Sequence, residues 1–496
     1  MPCPSRRLVY FSLEHLTPVP TLQPGDYPLH EFHGFPQTNH ILSLGLRDTN
    51  DPRTLKGNGN DFVIVQTIRG SRKVTPATFT SFARTLKPDI LFALPDIPYT
   101  QPPYSQKRVT KSIERTQRWL TNTLISQHTA GADTKVIPAI FGHLLGGAAH
   151  DARSAFSAGL LEPFDSKTAP SLPHLNNLDE ALDGYVLDLI PIRLSLGEFG
   201  PGVAPPHPGS ESSSTGTPDL PLNIPNRSQY TTLLLSSLDP LPSSKPRLIT
   251  GVTAPHDILH HIVRTGIDLF DSAWVQHAAD WGIALDFTFP ATKGSTATKA
   301  IGHNLYDEKY ALDFSRFAND LKGATELKDD GVLEDPQLLR TCPCAACSPS
   351  LVDPAAVTVD QRLPGSEPSS VEFSGSKTHA PPFTRAYLHH LLHTHEMSAH
   401  TLLALHNLSV LDLFFVGIRD VLGEDETIGD RFIAEVERFK EIYDEEGWYG
   451  PNGILEAGRT AWRNVDLARG KGRFKRERTA GGQAQQAAEV ADTEAT

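Results

Sequence analysis

The chain has 496 residues, a formal net charge of -13, 39% hydrophobic residues and 21% charged residues. This composition is typical of a soluble globular protein with one large domain or two to three smaller ones. The negative charge argues against a protein coated in positive charge for nucleic acid, although it is compatible with a local basic patch. No run of eighteen apolar residues and no secretory signal pattern occur, so neither a membrane span nor secretion is expected.

Short apolar runs alternate with amphipathic segments along most of the chain. Runs dominated by Val, Ile, Leu and Phe predict strands that are buried on both faces. These runs are 61–67, 89–94, 135–142, 184–190, 247–252, 266–271 and 283–289. Helices are predicted at 75–86, with Thr75 as N-cap, at 105–127, and at 253–266, ending on a glycine.

This alternation predicts βαβ units and a parallel sheet. Seven candidate strands over about 230 residues favour a (β/α)8 barrel over an open doubly wound sheet. No glycine-rich phosphate loop follows any candidate strand, which lowers the dinucleotide-binding alternative further. Three segments predict disorder from their composition, namely an insertion at about 199–228, an insertion at 348–382 and the tail at 469–496.

Three of the four cysteines lie in one hexapeptide, "CPCAAC". Cys342, Cys344 and Cys347 have the spacing C-x-C-x-x-C, which lets one tight turn aim three thiolates at a point. Zinc takes a tetrahedral Cys3His set readily, and clustered cysteines in a chain without a signal peptide indicate metal binding in a reducing compartment. The alternative is a loop with three unligated cysteines. Because Cys3 is remote, a histidine is expected as the fourth ligand.

Many histidines follow in 383–408. The stretch "HEMSAH" does not fit a metalloprotease helix, because His395 and His400 are five residues apart and therefore about 140° apart on a helix. The neighbouring histidines are expected to be solvated or to face a partner. They are His389, His390 and His393.

His406 is the better candidate for a ligand. It continues an apolar stripe at three- to four-residue steps, which predicts that it points inward at the end of a helix packed on the core. The stripe comprises Leu391, His395, Ala399 and Leu402. A lone inward histidine is usually a hydrogen-bonded core residue, but the three-thiolate motif lacks one ligand and favours the metal-binding interpretation.

The motif C-x-C-x-x-C, followed by "TRAYLHHL" and "HNL", resembles the zinc module of the tRNA-guanine transglycosylases. The segments 70–90, 107–120 and 246–272 resemble further motifs of that family in the same order, so that the resemblance covers 60–420. It implies a (β/α)8 TIM barrel with an inserted zinc-binding subdomain. It also implies His406, in the HNL triplet, as the fourth ligand of one structural Zn²⁺ per subunit, with the 348–382 insertion inside the zinc loop.

On this basis we predict five regions along the chain. They are a poorly matched N-terminal segment (1–60), the barrel core (61–335), the zinc-binding subdomain (336–420), a C-terminal helical segment (421–468) and the disordered tail (469–496).

Enzymes of the family exchange a guanine base in tRNA through a carboxylate that attacks the ribose. The resemblance places Asp271, after the run "IDLF", at the position of this nucleophile. The other functional segments differ from the family pattern. The segment 272–282 contains no arginine, and no counterpart of T-D-S-G-G-F-Q occurs near the N-terminus. Asp188 and Leu189 replace paired glycines that approach the base, and Leu94 and Pro95 occupy acidic positions.

These departures make the chain similar to a non-catalytic branch of the family, the accessory subunits of eukaryotic queuine tRNA-ribosyltransferase. The resemblance implies a heterodimer with a catalytic subunit, contact with tRNA through the complex, and Asp271 as a relic. It further suggests a cytoplasmic protein with peripheral association at the mitochondrial outer membrane. Two alternatives stay open: an active transglycosylase with an altered base pocket and Asp271 as nucleophile, and a zinc-stabilised interaction module without tRNA contact.

Overall fold

The computed structural model describes most of the chain, and the following statements concern its described residues. They are 7–17, 21–23, 25–51, 57–100, 102–129, 138–166, 168–199, 223–291, 298–318, 342, 344, 346–347, 383–423, 429–450 and 452–468. The segments 348–382 and 469–496, most of 199–228, and Cys3 lie outside them.

The chain divides into two compact units. The barrel unit comprises Met1–Pro221 and Pro225–Asp271, and the helical unit comprises Leu222–Ile224 and Ser272–Thr496. The strands are β1 (Arg7–Ser12), β2 (His40–Gly45), β3 (Val63–Thr67), β4 (Gly70–Val74), β5 (Ile90–Phe92), β6 (Ala139–His143), β7 (Gly184–Asp188), β8 (Arg247–Thr250), β9 (Leu269–Phe270), β10 (Ile283–Leu285) and β11 (Gly302–Asn304).

Seven strands of the barrel unit form one sheet in the order β1-β2-β5-β6-β7-β8-β9, and every neighbouring pair is parallel. Parallel strands that follow each other in chain order, with helices between them, are the pattern of a (β/α) barrel. The predicted fold class is therefore confirmed.

The sheet buries both of its faces. On one face, large side chains from six strands form an apolar cluster, which comprises Leu8, Tyr10, Ile90, Phe92, Phe141, Val186, Leu248 and Leu269. On the other face, Leu42, Leu44 and Leu91 pack with helix residues such as Phe79 and Trp119. Burial on both faces explains why these strands read as continuous apolar runs in the sequence.

Two of the predicted strands lie outside this sheet. The run at 61–67 forms an antiparallel hairpin of β3 with β4, whose sequence "GSRKV" is too polar for a strand buried on both faces. The run at 283–289 supplies β10, which pairs antiparallel with β11 in the helical unit. The sheet instead begins with β1 and β2. Sequence patterning missed β1 because it lies at the sheet edge and is only partly buried.

The helices are assigned as follows. They are α1 (Leu13–Leu16), α2 (Pro28–His33), α3 (Pro76–Leu86), α4 (Gln106–Thr129), α5 (His150–Leu161), α6 (Leu189–Ser195), α7 (Arg227–Leu238), α8 (Pro255–Thr265), α9 (Ala273–Asp280), α10 (Arg385–His393), α11 (Met397–Leu422), α12 (Asp430–Ile442), α13 (Glu446–Tyr449) and α14 (Ile454–Ala468). The three predicted helices correspond to α3, α4 and α8.

Their ends follow the sequence signals. The Thr75 hydroxyl accepts a hydrogen bond from the Thr78 backbone N–H, which caps α3. Gly266 ends α8 in the left-handed conformation, with φ of 60°.

The helical unit is built around α11. Its Phe414 packs edge-on against Phe287, with ring centroids 5.4 Å apart, and Phe439 of α12 joins the same cluster. By length and composition alone α11 could cross a membrane, yet 44% of its most apolar window is buried within the protein. It also carries the fully buried polar residues His406 and Asn407. These features are those of a core helix.

The apolar stripe from Leu391 to His406 does not lie on one continuous helix, contrary to the prediction. Helix α10 ends at His393 and α11 begins at Met397. Between them His395 adopts a left-handed φ of 63°, which an α-helix does not accommodate. His406 nevertheless points inward, and it lies within α11 and not at a helix end.

Candidate metal centre and barrel cleft

The helical unit brings Cys342, Cys344, Cys347 and His406 together. One donor atom of each side chain lies within 4.8 Å of those of the other three, so the cluster could hold a metal ion. The Nδ1 atom of His406 lies 3.5 Å from the Cys347 Sγ and 3.7 Å from the Cys344 Sγ. In a tetrahedral site, Zn–S bonds of about 2.3 Å and Zn–N bonds of about 2.0–2.1 Å place neighbouring S and N ligands about 3.6 Å apart. The observed distances therefore match the edges of such a site.

Backbone groups orient these donors. The Nε2 atom of His406 lies 2.8 Å from the Leu285 carbonyl, which can only accept a hydrogen bond. The proton therefore sits on Nε2 and leaves the Nδ1 lone pair facing the thiols, as in metal sites whose histidines bond to a backbone carbonyl. The Cys347 backbone N–H donates to the Cys344 Sγ over 3.2 Å, which closes the turn of the motif.

The centre is closed to solvent. All three cysteines and His406 are at most 4% exposed. Four protein donors complete a tetrahedral shell, so a metal bound here would have a structural role and no open coordination position.

Asn407, next to His406, fixes α11 against β10. Its Oδ1 accepts a hydrogen bond from the Leu285 backbone N–H at 2.9 Å, and its Nδ2 donates to the Ile283 carbonyl at 2.9 Å. The same strand thus orients His406 through Leu285 and holds the neighbouring amide. Sequence reasoning missed Asn407, although a buried amide in a long apolar helix is the signal that points to it.

The other histidines of this region lie apart from the metal centre. His395 sits in the break between α10 and α11, and His400 faces the Ala279 carbonyl at 3.2 Å, so they do not form a helical metal pair. His390 and His393 are exposed, as expected. His389 is buried instead, and its Nδ1 donates to the Leu305 carbonyl at 2.9 Å. The expectation that His389 is solvated was wrong, because α10 turns this face toward residue 305.

In the barrel unit, polar side chains collect at the carboxyl ends of the strands. Alternate strand residues share a face, so the positions two residues after Phe141, Val186, Leu248 and Leu269 of the apolar cluster continue the same face. These positions are His143, Asp188, Thr250 and Asp271. Active sites of (β/α) barrels lie at this end.

Both carboxylate oxygens of Asp188 have hydrogen-bond partners from neighbouring strands. One oxygen lies 2.6 Å from the His143 Nδ1, and the other accepts a hydrogen bond from the Thr250 hydroxyl at 2.8 Å. Burial alone would raise the pKa of Asp188, but these two partners lower it below its ordinary value. Both oxygens of this carboxylate are therefore engaged within the chain.

Asp271 follows β9 and is held by Asn50 and by the backbone of Gly251. Its Oδ2 accepts hydrogen bonds from the Asn50 Nδ2 at 2.8 Å and from the Gly251 N–H at 2.9 Å. Its Oδ1 is buried without a hydrogen-bond partner among the described residues. Burial raises the pKa of Asp271 to about 6, against the lowering effect of its two donors. Sequence reasoning placed Asp271 correctly at a strand end but missed Asn50.

The segment with Leu94 and Pro95 supplies no free carboxylate. Leu94 is buried, and the next residue but one, Asp96, is fully buried between two arginines of α4. Arg108 donates to both oxygens of Asp96, at 2.8 and 3.0 Å, and Arg115 donates at 3.0 Å. This acid is therefore part of a structural ion-pair network.

A cleft opens within the barrel unit, and its lining includes Tyr10, Arg47 and Tyr99. Arg47 lines it and stacks on the Tyr99 ring, with the guanidinium carbon 3.7 Å from the ring centroid. His143 and Asp188 contribute to its wall, whereas Asp271 is not among its lining residues. The residues that line the cleft thus include one carboxylate, Asp188, which is already paired, and do not include Asp271.

Fold and sites together define a (β/α)-barrel protein with a buried Cys3His cluster that could hold a metal ion. The family model described as queuine tRNA-ribosyltransferase matches residues 15–170, 220–355 and 374–443. The chain therefore belongs to the queuine tRNA-ribosyltransferase family. The match begins before β2, and its interruptions fall at 171–219 and 356–373.

Individual relatives are similar over most of the chain. A protein of Homo sapiens named queuine tRNA-ribosyltransferase accessory subunit 2 is 26% identical over 404 residues, which cover 80% of this chain and 77% of the relative. Proteins of the same name from Drosophila persimilis and Danio rerio are each 25% identical. They cover 81% and 78% of this chain, and 70% and 74% of their own lengths.

Proposed function

We propose that this chain is a non-catalytic accessory subunit of queuine tRNA-ribosyltransferase. It pairs with a catalytic paralogue and supports the exchange of guanine for queuine at the wobble position of tRNA anticodons. The names of its relatives support this proposal. The observation that carries it is the state of the barrel cleft, where Asp188 is paired with His143 and Thr250 at a position for which the family resemblance implies a glycine.

The chemistry of base exchange explains why this matters. A catalytic chain needs a nucleophilic carboxylate, a second group for proton transfer and a pocket for the displaced base. Asp96 is held by two arginines, and Asp188 by His143 and Thr250. Asp271 is not among the residues that line the cleft.

An exchange assay tests the proposal. Incorporation of labelled guanine into tRNA is measured with this chain alone, with the catalytic paralogue alone and with the pair. Activity is expected only where the paralogue is present and to be highest in the pair. Asp271→Asn in this chain should leave the rate of the pair unchanged. Label that enters tRNA with this chain alone, and that is lost in Asp271→Asn, would instead establish the active transglycosylase.

We propose Zn²⁺ as the metal of the Cys3His centre, one ion per chain and structural in role. Three thiolates and an imidazole in tetrahedral spacing suit zinc best among the common cellular divalent ions. Elemental analysis of the purified chain should give about one zinc, in line with the four-ligand set. A chain purified with another metal in the same amount would contradict this assignment.

Pairing is assigned to the helical unit. Three apolar residues of α11, namely Leu405, Leu408 and Val416, are 36–44% exposed. Their separations of three and eleven residues place them on one side of the helix, which we call the outer face of α11. An apolar helix face next to a rigid metal centre suits a stable protein partner, which we propose to be the catalytic subunit.

Contact with tRNA is proposed to occur through the assembled pair. Crosslinking of this chain to the anticodon stem-loop in the pair would support it, whereas no crosslink would favour the pure interaction module. From the family resemblance we also propose a cytoplasmic location with peripheral association at the mitochondrial outer membrane. Cell fractionation with and without a carbonate wash tests it, because a peripheral protein is released by the wash.

A further inference from the structure

A second cluster of metal-binding side chains lies in the helical unit. It comprises Glu308, His389 and His393, and one donor atom of each lies within 4.8 Å of those of the other two. It shares no residue with the Cys3His centre, and its donors are nitrogen and oxygen instead of sulfur. We propose that these three residues form a second site that binds a divalent cation of the zinc class.

The two histidines are spaced for a shared ligand. His389 and His393 are four residues apart on α10, which puts both on one side of the helix. Their ring centroids are 4.3 Å apart. Histidine pairs with this spacing bind zinc on helices because both imidazoles reach the same point.

Backbone carbonyls fix the orientation of both rings. The Nδ1 of His389 donates to the Leu305 carbonyl at 2.9 Å, and the Nε2 of His393 donates to the Tyr306 carbonyl at 3.2 Å. Each neutral ring then keeps its lone pair on the other nitrogen, Nε2 in His389 and Nδ1 in His393. A metal-binding histidine almost always has such a partner on its non-ligating nitrogen.

The same short segment supplies the third donor. Glu308 follows Leu305 and Tyr306 by three and two residues and begins a 3₁₀ turn, Glu308–Tyr310. The ammonium of the adjacent Lys309 pairs with Asp307 at 3.3 Å. Two orienting carbonyls and one carboxylate thus come from residues 305–308, and both ligating imidazoles come from α10.

Two imidazoles and one carboxylate favour zinc, cobalt or nickel over the oxygen-binding cations magnesium and calcium. Three protein ligands leave one tetrahedral position to water. Glu308 and His393 are exposed, which gives the ion a path from solvent. An ion here links α10 to the 305–308 segment and stabilises the helical unit, by an amount that rises with the logarithm of the free ion concentration above the dissociation constant.

Metal titration of the full chain tests this site. The purified chain, with its Cys3His centre already filled, is titrated with Zn²⁺ in a calorimeter, and one additional saturable site per chain is expected. His393→Gln and Glu308→Gln should each weaken this binding at least about 10-fold. The glutamine in His393→Gln retains a donor for the Tyr306 carbonyl. His390→Gln, an exposed neighbour on α10 outside the cluster, is the matched control and should bind as the parent chain does.

Cobalt distinguishes the two centres. Co²⁺ at the proposed site has nitrogen and oxygen ligands, so added cobalt should give d–d bands without the sulfur-to-metal band that thiolates produce. A parent chain without a saturable additional site would overturn the proposal. So would unchanged binding in both His393→Gln and Glu308→Gln, or a sulfur-to-metal band that places the added ion at the cysteines.

Discussion

The metal centre of the helical unit and the cleft of the barrel unit differ in how their polar groups are satisfied. At the metal centre, the donors of three cysteines and His406 point at one another and are at most 4% exposed. In the cleft, Asp188 is paired with His143 and Thr250 of the same chain. The four donors of the first arrangement could hold a cation, whereas both oxygens of Asp188 already have partners within the chain.

The two regions therefore differ in what they leave available for binding. The Cys3His cluster presents four donors to a common point. Of the two acids at the strand ends, Asp188 has a partner on each oxygen, whereas the Oδ1 of Asp271 is buried without a hydrogen-bond partner among the described residues. Substitutions in both regions test this difference.

The largest effect is expected from loss of a metal ligand. Cys344→Ser and His406→Ala should each lose the zinc and unfold the region around the cysteine motif, because zinc binding supplies about 10–16 kcal/mol in small structural sites. Zinc content and thermal unfolding measure both consequences. Cys3→Ser is the matched control, since Cys3 lies outside the motif, and should keep the full zinc content. A His406→Ala chain that retains its zinc would remove His406 from the ligand set.

A smaller effect is expected from Asn407→Ala. The substitution leaves the Leu285 N–H and the Ile283 carbonyl buried without their partner. Each such group costs about 1–3 kcal/mol, so the free energy of unfolding should fall by about 2–5 kcal/mol. Chemical denaturation measures this loss, and the exposed Thr401→Ala on the same helix serves as control. If both variants unfold alike, the amide does not hold α11 on β10.

Asp271→Asn should increase the free energy of unfolding, unlike the substitutions above, because burial disfavours the charged form of Asp271. The folded-state pKa of about 6 exceeds the ordinary value of 3.8. The stability that Asp271 contributes is therefore fully present below pH 3.8 and is lost as the pH rises through 6. Asparagine removes this loss, so at pH 7.5 the variant should be more stable by about 1–2 kcal/mol, and near pH 3, below both pKa values, the gain should vanish.

Denaturation at the two pH values measures the change. Asp61→Asn is the matched control, because this aspartate is 90% exposed and should show no difference at either pH. A less stable Asp271→Asn at pH 7.5 would mean that the chain still favours a charged carboxylate at this position, as an active nucleophile requires.

The metal centre was more predictable from the sequence than the cleft was, and the reason is physical. Three ligands lie within six residues, so their spacing alone indicates a shared ion, and the family resemblance supplied His406. The orienting Leu285 carbonyl could not be predicted, because it depends on how α11 packs on β10. The contacts in and beside the cleft join residues far apart in the chain, such as His143 with Asp188 and Asn50 with Asp271, which no local pattern links.

The barrel shows the same contrast. The central strands β5 to β8 were predicted because burial on both faces makes them continuously apolar. β1 was missed because it is only partly buried, and the run at 61–67 was misplaced because periodicity does not distinguish a hairpin strand from a sheet strand. The break at His395 was missed because the apolar spacing continues across it.

Substitutions on the outer face of α11 are expected to have the smallest effect on the stability of the isolated chain. They should selectively weaken its binding to the catalytic subunit. Leu405→Glu and Leu408→Glu place charges on exposed positions, so the thermal stability of the isolated chain should stay within about 0.5 kcal/mol of the parent. If this face binds the catalytic subunit, burying an unpaired carboxylate should weaken the pair at least about 10-fold. Analytical ultracentrifugation or calorimetry of the pair measures this affinity.

Ile68→Glu provides the matched control, because Ile68 is 82% exposed on the β3–β4 turn of the barrel unit. The same change of leucine-sized side chain to carboxylate should leave pairing intact there. Equal weakening by Ile68→Glu and Leu405→Glu would assign pairing to both units. It would contradict the proposal that the helical unit alone binds the catalytic subunit. Weakening at α11 alone, together with unchanged exchange in the Asp271→Asn pair, would place the contribution of this chain in the helical unit and leave the barrel cleft without a catalytic part.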